Sequence, residues 1–212
     1  MDDSKYDLTL KIVIIGESGI GKTNLLTRYT QNHFDDQIKA TIGIDFALKE
    51  IFISGYMIKA QFWDTAGQEK YCAMARAYYK LSDGVVLVYD VTRRETFEKL
   101  KNWIEDLKIH TNRKYQIILI GNKTDLVEAR KVSVEEGRKF AQENAMFFWE
   151  TSAITNADNC VSKAFDSLLE ECMKNLIKDY VEENSIGINS VRKNSKTLDT
   201  MNANKSKRNF CC

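Results

Sequence analysis

Proline is absent from the 212 residues. Loops and helix starts must therefore be built from Gly, Asn, Asp, Ser and Thr, and no function follows from the absence itself. Charge bias is missing as well: 31 Lys and Arg stand against 30 Asp and Glu. No bulk field then points to nucleic acid as the main partner. No apolar run approaches the ~20 residues of a membrane span. The start, Met1-Asp2-Asp3-Ser4-Lys5, lacks the apolar stretch of a signal peptide. Asp2 stands where N-myristoylation requires glycine. A domain made and kept in the cytosol is predicted. Of five cysteines, Cys72, Cys160 and Cys172 are scattered and match no metal-binding spacing. Cys172 falls on an apolar helical face and is expected in the core. Cys211 and Cys212 are the last two residues of the sequence.

The chain is 43% hydrophobic and 29% charged, a globular composition with length for one well-packed domain and an appendage. Gly16-Glu17-Ser18-Gly19-Ile20-Gly21-Lys22-Thr23 fills every fixed position of G-x-x-x-x-G-K-[ST]. That pattern predicts a loop of backbone N–H groups wrapped around nucleotide phosphates. Lys22 reaches the outer phosphates and the Thr23 hydroxyl takes a place on Mg²⁺. Leu8 to Ile15 reads as a buried strand before the loop, and Thr23 to Thr30 as a helix after it. The helix N-terminus adds its partial positive charge to the anion site.

Apolar, strand-like runs recur at Leu8–Ile15, Phe46–Ile53, Met57–Trp63, Val85–Tyr89, Gln116–Ile120 and Met146–Glu150. Helical patterns alternate with the later ones. Only Ser54-Gly55-Tyr56 separates the second run from the third, so a hairpin and one antiparallel edge strand are expected. Thr92-x-x-Glu95 and Ser133-x-x-Glu136 have the form of capping boxes. From Val161 to Ile177 one helical face stays apolar, which reads as core. The prediction is an α/β P-loop NTPase three-layer sandwich: a six-stranded, mostly parallel sheet with one antiparallel edge strand and helices on both faces. Ligands in such folds sit at the carboxyl ends of the strands. Three regions are expected: a short extension over 1–7, a domain over 8–180 and a flexible tail over 181–212. The tail has six basic and three acidic residues and no periodicity.

Three further segments narrow the nucleotide. In Trp63-Asp64-Thr65-Ala66-Gly67-Gln68-Glu69, an Asp at a strand end can support a metal shell. The Gly beside it can offer its N–H to a terminal phosphate, and the Gln can orient a water. In Gly121-Asn122-Lys123-Thr124-Asp125, the carboxylate matches the paired N1–H and N2–H₂ donors of guanine. Adenine would leave it unpaired. Glu150-Thr151-Ser152-Ala153 follows the last run, where backbone N–H groups can meet the guanine carbonyl.

These segments, in this order, resemble the Ras superfamily of small GTPases. Thr41-Ile42-Gly43-Ile44-Asp45-Phe46, Tyr78-Tyr79-Lys80, Val88-Tyr89-Asp90-Val91-Thr92, Val132-Ser133-Val134-Glu135-Glu136-Gly137-Arg138 and the paired terminal cysteines are similar to the Rab branch. The resemblance spans about Leu8 to Ile177. It implies a switch that cycles between GDP and GTP, recruits effectors and regulates vesicle trafficking. Lys22 and the N–H groups of Ser18, Gly19, Ile20, Gly21 and Thr23 would hold the phosphates, with Asn24 beside them. Thr23 and Thr41 would coordinate Mg²⁺, and Asp64 would support it. Gly67 would meet the γ-phosphate and Gln68 would position the hydrolytic water. Phe34 would stack on the base, Asn122, Lys123 and Asp125 would read it, and Ser152 and Ala153 would complete the pocket. Ile42, Gly43, Ile44, Asp45, Phe46, Trp63 and Tyr78 would contact effectors.

The same resemblance implies geranylgeranyl groups on Cys211 and Cys212, with Lys205, Lys207 and Arg208 adding weak attraction to anionic lipid. The implied setting is a lipid-anchored monomer on the cytoplasmic face of endomembranes, with a cytosolic, inhibitor-bound pool. An exchange factor, an activating protein, a GDP-dissociation inhibitor and an escort protein would act on it. Ile154 stands where the family usually carries Lys, so faster nucleotide exchange is expected. Ser18, Tyr79-Lys80-Leu81-Ser82 and Lys70-Tyr71-Cys72-Ala73-Met74 also depart from common patterns. The main alternative is a slowly hydrolysing GTP-binding scaffold of the same fold. A P-loop kinase would need a lid for which no insertion is long enough.

Overall fold

The first strand, β1 (Leu8–Ile15), is apolar at almost every position from Leu10 onward, because it is covered on both faces. Leu10, Ile12, Val13, Ile14 and Ile15 are all fully buried. The computed structural model describes residues 5–37, 41–67, 72–111 and 114–181. After β1 come α1 (Lys22–Gln31), β2 (Ile44–Ile53), β3 (Tyr56–Thr65), α2 (Cys72–Tyr79) and β4 (Gly84–Asp90). Then follow α3 (Arg94–Glu98), α4 (Leu100–His110), β5 (Gln116–Asn122), α5 (Val134–Glu143) and β6 (Phe147–Thr151). A last helix, α6, covers 160–181. The chain divides into a compact unit over 1–173 and a second over 174–212, of which 174–181 are helical. No helix among the described residues is long and apolar enough to cross a membrane.

The strands form one six-stranded sheet in the order β2-β3-β1-β4-β5-β6. All neighbours are parallel except β2 and β3, which pair Ile53 with Tyr56 and Ile44 with Thr65. Their turn is Ser54-Gly55, with φ of 50° and 92°. Positive φ at both central residues is what a tight hairpin turn needs to match strand twist. The edge strand β2 alternates exposed and half-buried residues, as a strand solvated on one face must.

One face of the sheet packs Val13, Leu87 and Tyr89 against Tyr79, Leu100, Ile104, Leu107 and Phe140. On the other, Tyr29 of α1 stacks on Phe165 at 4.6 Å and meets Phe62 edge-on at 5.6 Å. Cys172 is buried there beside Gly84, as expected.

Two sequence expectations need correction. Thr92 does not cap a helix: α3 begins after Arg93 without a side-chain cap. The Thr92 hydroxyl instead donates to Asp90 Oδ1 at 2.6 Å, so its oxygen is turned toward a buried carboxylate. By contrast, Ser133 and Glu136 do form a reciprocal capping box on α5. The second correction concerns strand ends. β3, β4 and β5 reach Thr65, Asp90 and Asn122, and β6 runs one residue past Glu150 to Thr151. The ladder continues through these polar residues, pairing Ile14 with Asp64 and Asn122 with Thr151. Periodicity ended the strands too early because buried Asp and Asn look like loop residues.

Candidate functional site

The carboxyl ends of β1, β3, β4, β5 and β6 share one edge, and the predicted residues gather there. Beyond Ile15 the chain turns through Gly16, Gly19 and Gly21, all at positive φ, before α1 starts at Lys22. Gly21 has a second constraint: a Cβ there would lie 2.5 Å from Asn122 Nδ2. Lys22 is buried, and its ammonium donates to the carbonyls of Gly16 and Glu17, each at 2.8 Å. Burial brings its pKa down to about 8, against the pull of Asp64 and Glu17. A desolvated cation held by carbonyls alone is a strong attractor for anionic oxygen.

Asp64 lies next to it, fully buried. Thr23 Oγ1 donates to its Oδ2 at 2.5 Å and sits 2.9 Å from Thr41 Oγ1. Asp64 Oδ1 is buried with no hydrogen-bond partner. Burial pushes the Asp64 pKa up to about 6, opposed by the Thr23 hydrogen bond and Lys22. Two hydroxyls and an unsatisfied carboxylate oxygen are a donor set that suits a hard, oxygen-seeking divalent cation. Gly67 closes this corner: a Cβ there would meet Glu17 O at 2.4 Å and Lys22 Nζ at 2.5 Å.

These groups open into a cleft of about 380 Å³, lined by Ser18, Gly19, Gly21, Lys22, Thr23, Asn24, Phe34, Thr41 and Gly67. Asp35, Asp36 and Ile154 also line it. The Ile20 side chain is core, leaving only its backbone to the loop. The segments over 121–125 and 150–153 lie behind the same loop. Asn122 Nδ2 donates to Ile20 O at 2.8 Å and Thr151 Oγ1 to Asn122 Oδ1 at 3.3 Å. Lys123 Nζ donates to Gly19 O at 2.8 Å and pairs with Asp90 Oδ2 at 2.7 Å. Ser152 Oγ donates to Asp125 Oδ1 at 2.6 Å, and Ala153 is buried beside them.

Of the predicted contact residues, Ile42 is 83% exposed and Phe46 49%. Phe46 lies 5.7 Å from Trp63 across the hairpin, and Trp63 5.5 Å from Tyr78. The three rings are contiguous, with Trp63 and Tyr78 half-buried. Ile44 and Asp45 begin β2, and Gly43 O accepts from Ala66 N at 2.9 Å. Gln68, Cys211 and Cys212 lie outside the described residues.

Sequence reasoning missed several supporting residues. Arg28 on α1 donates to Ala153 O at 2.9 Å and to Ile154 O at 3.2 Å. Arg93 donates to Ser18 O at 3.1 Å. Arg130 forms a two-pronged pair with Glu150, at 2.6 and 2.9 Å, tying the segment after Asp125 to β6. None belongs to a local pattern; each acts on a backbone or carboxylate far away in sequence.

Residues 11–174 match the Ras family model. The chain is 47% identical over 182 residues to Ras-related protein Rab11E of Lotus japonicus, covering 85% of this chain and 82% of the relative. It is 42% identical over 210 residues to Ras-related protein RABA1b of Arabidopsis thaliana, covering 99% and 96%. The chain therefore belongs to the Ras family. It is a Rab-type small GTPase that binds guanine nucleotide, hydrolyses GTP and acts in vesicle trafficking through regulators and effectors.

Proposed function

We propose that the cleft holds GDP or GTP with Mg²⁺, and that the loops around Thr41 and Gly67 report which nucleotide is bound. The observation that carries this is the presence, at one corner, of the buried Lys22 ammonium held only by backbone carbonyls and of an unsatisfied Asp64 oxygen. Each buried group lacks a counterpart that a metal-bound phosphate supplies. Lys22 and the N–H groups of Ser18 to Thr23 hold the phosphates, with Asn24 beside them. Thr23, Thr41 and Asp64 hold Mg²⁺, which when bound neutralises charge on the phosphate oxygens. Phe34 covers the base, Asp125 accepts from its two donors, and the Ser152-Ala153 backbone meets its carbonyl. Asn122 and Lys123 brace the phosphate loop against this segment.

Gln68 orients the water that attacks the γ-phosphate in line. Thr41 and Gly67 keep their bound positions only while that phosphate is present, so hydrolysis releases both loops. Effectors that grip Ile42 to Phe46, Trp63 and Tyr78 then leave. An exchange factor and an activating protein set the two directions of the cycle. Prenyl groups on Cys211 and Cys212 anchor the chain to endomembranes as a monomer, and an escort protein and a GDP-dissociation inhibitor handle the lipidated form. The domain covers 8–180 and the tail 181–212.

Single-turnover hydrolysis of preloaded GTP tests the switch: slow turnover alone, accelerated by an activating protein, and lost in Gln68→Leu, is expected. Turnover insensitive to both would leave a GTP-binding scaffold.

Two further results are expected. Below about pH 6 the proton competes with the cation for Asp64. With its pKa raised in the fold, this group favours the metal-free fold at acid pH, and that contribution is lost as pH rises through about 6. Mg²⁺ affinity, measured by calorimetry on the GDP complex, should therefore fall by up to about tenfold per pH unit below 6. Asp64→Asn should flatten the slope. Separately, Ile154 is 52% exposed on the cleft wall. Ile154→Lys should slow GDP release several-fold, by supplying an aliphatic stem and charge beside the base; equal rates would refute a role for this position.

A further inference from the structure

Three features lie outside the nucleotide site as described above. The first is a shallow groove of about 670 Å³ beside Lys49 and Lys163. The second is the Glu17 carboxylate, which accepts from Lys99 Nζ at 2.7 Å and Trp103 Nε1 at 3.3 Å. The third is the guanidinium of Arg28, which is carried furthest by its geometry.

Arg28 sits on α1, five residues after Thr23, yet its fork is spent on a segment 125 residues away. Nε donates to Ala153 O at 2.9 Å and Nη2 to Ile154 O at 3.2 Å. Nη1 donates to Asn32 O at 2.9 Å, just beyond the last turn of the same helix. The rigid planar fork fixes all three directions at once, which a lysine cannot do. The neighbouring side chain makes the helix a firm support: Tyr29 Oη donates to Asp166 Oδ1 at 2.6 Å, and Lys49 Nζ donates to Tyr29 O at 2.6 Å.

The two distant carbonyls that Arg28 holds belong to peptide units 153–154 and 154–155, whose N–H groups are those of Ile154 and Thr155; the Thr155 N–H is taken by Ser152 Oγ, which leaves the Ile154 N–H to meet the base. A peptide unit is planar, so restraining its carbonyl on one side restrains the N–H on the other. Ser152 adds short-range bonds, with Thr155 N donating to its Oγ at 3.1 Å and Asn156 N to its O at 2.9 Å. These shape the turn without tying it to α1. Only Arg28, among the described hydrogen bonds of this loop, joins it to the helix that carries Lys22 and Thr23 at its other end.

We propose that Arg28 is a positioning residue for guanine recognition: by holding the Ala153 carbonyl it aims the N–H of the Ala153–Ile154 peptide unit at the 6-oxo group of the base. This rests on the nucleotide reading given above. Arg28 does not touch the base; it sets the direction of donors that do. The base carbonyl is then read by backbone whose placement is tied to the phosphate-binding helix, so the two halves of the nucleotide are gripped through one rigid element. Loss of the fork leaves the loop free to rotate its N–H groups away, and preorganised donors are worth more than donors that must be ordered on binding.

The test compares GDP with 6-thio-GDP, which keeps both donors read by Asp125 but presents a weakly accepting sulfur in place of the oxygen. Dissociation of each is measured on the Mg²⁺-loaded full chain for wild type, Arg28→Ala and Arg28→Lys. Wild type should release 6-thio-GDP faster than GDP. Arg28→Ala should release GDP about tenfold faster than wild type, about 1.4 kcal/mol, while its 6-thio-GDP rate changes less than threefold. Arg28→Lys, with one donor direction retained, should fall between. General loosening of the fold would raise both rates together, and that outcome overturns the proposal, as does a wild-type preference preserved in Arg28→Ala. A wild type that holds neither guanine nucleotide would instead refute the nucleotide reading itself. Should Arg28→Ala fail to fold, Arg28→Lys alone decides: an unaltered ratio of the two rates overturns the inference.

Discussion

Replacing Lys22 by alanine will lower GDP affinity by about 10²–10³-fold, roughly the 2–5 kcal/mol lost on truncating one member of a buried, hydrogen-bonded charge pair. The same change will leave the nucleotide-free fold as stable as before, or more so. The two effects diverge because of where the ammonium lies. It is 6% exposed, its partners are two carbonyls, and burial brings its pKa down to about 8. A lysine with a depressed pKa costs the free fold stability below that pH, and the cost is relieved as pH rises from about 8 toward its ordinary value near 10.5. Phosphate oxygens relieve the same cost by pairing with the charge. Calorimetric titration of GDP, beside thermal melts of stripped protein, measures both. A fall in melting temperature with affinity preserved would contradict the role. Lys22→Arg should also fail, because a planar fork cannot take the place of a compact ammonium among the Gly16, Glu17 and Gly67 backbone groups.

The second large effect concerns Asp125. Alanine there should reduce the preference for GDP over ADP by roughly 10⁴-fold, the scale on which a site that hydrogen-bonds its ligand rejects one lacking the groups. The carboxylate is oriented before any base arrives, since Ser152 Oγ donates to Oδ1 at 2.6 Å. Most of the loss should fall on GDP, with ADP affinity nearly unchanged, because adenine has no donor pair for the carboxylate. Ser152→Ala should cost about 1.5–3 kcal/mol, the usual worth of a hydrogen bond to a charged group. Competition of both diphosphates against a fluorescent GDP measures the ratio. An unchanged ratio in Asp125→Ala would remove the basis for guanine selectivity at this residue.

What the sequence made legible follows from locality. The phosphate loop, the Ser54-Gly55 turn and the Ser133–Glu136 box are each determined by residues close together in the chain, and each formed as expected. A mostly parallel sheet with one antiparallel edge strand followed from the alternation of elements and the short Ser54-Gly55 connection. The polar strand ends were misread, since Asp64, Asn122 and Thr151 are buried by a ladder that no single segment encodes. Thr92 had the right spacing for a cap, but a nearby buried carboxylate took its hydroxyl. Arg28, Arg93 and Arg130 were invisible for another reason. An arginine that bonds distant carbonyls or a distant carboxylate leaves no periodicity, and on α1 it looks like any solvated helix residue.

The corner formed by Lys22, Thr23, Thr41 and Asp64 has a consequence for how this chain can be measured. On the proposed reading its buried charges are completed by molecules from solution, so the folded state is linked to their concentration. At nucleotide levels about 1,000 times the dissociation constant, that linkage amounts to about 4 kcal/mol, a sizeable share of the 5–15 kcal/mol that keeps a typical domain folded. A melting temperature for this protein thus belongs to a composition of the buffer, and two preparations differing only in residual GDP will look like two different proteins.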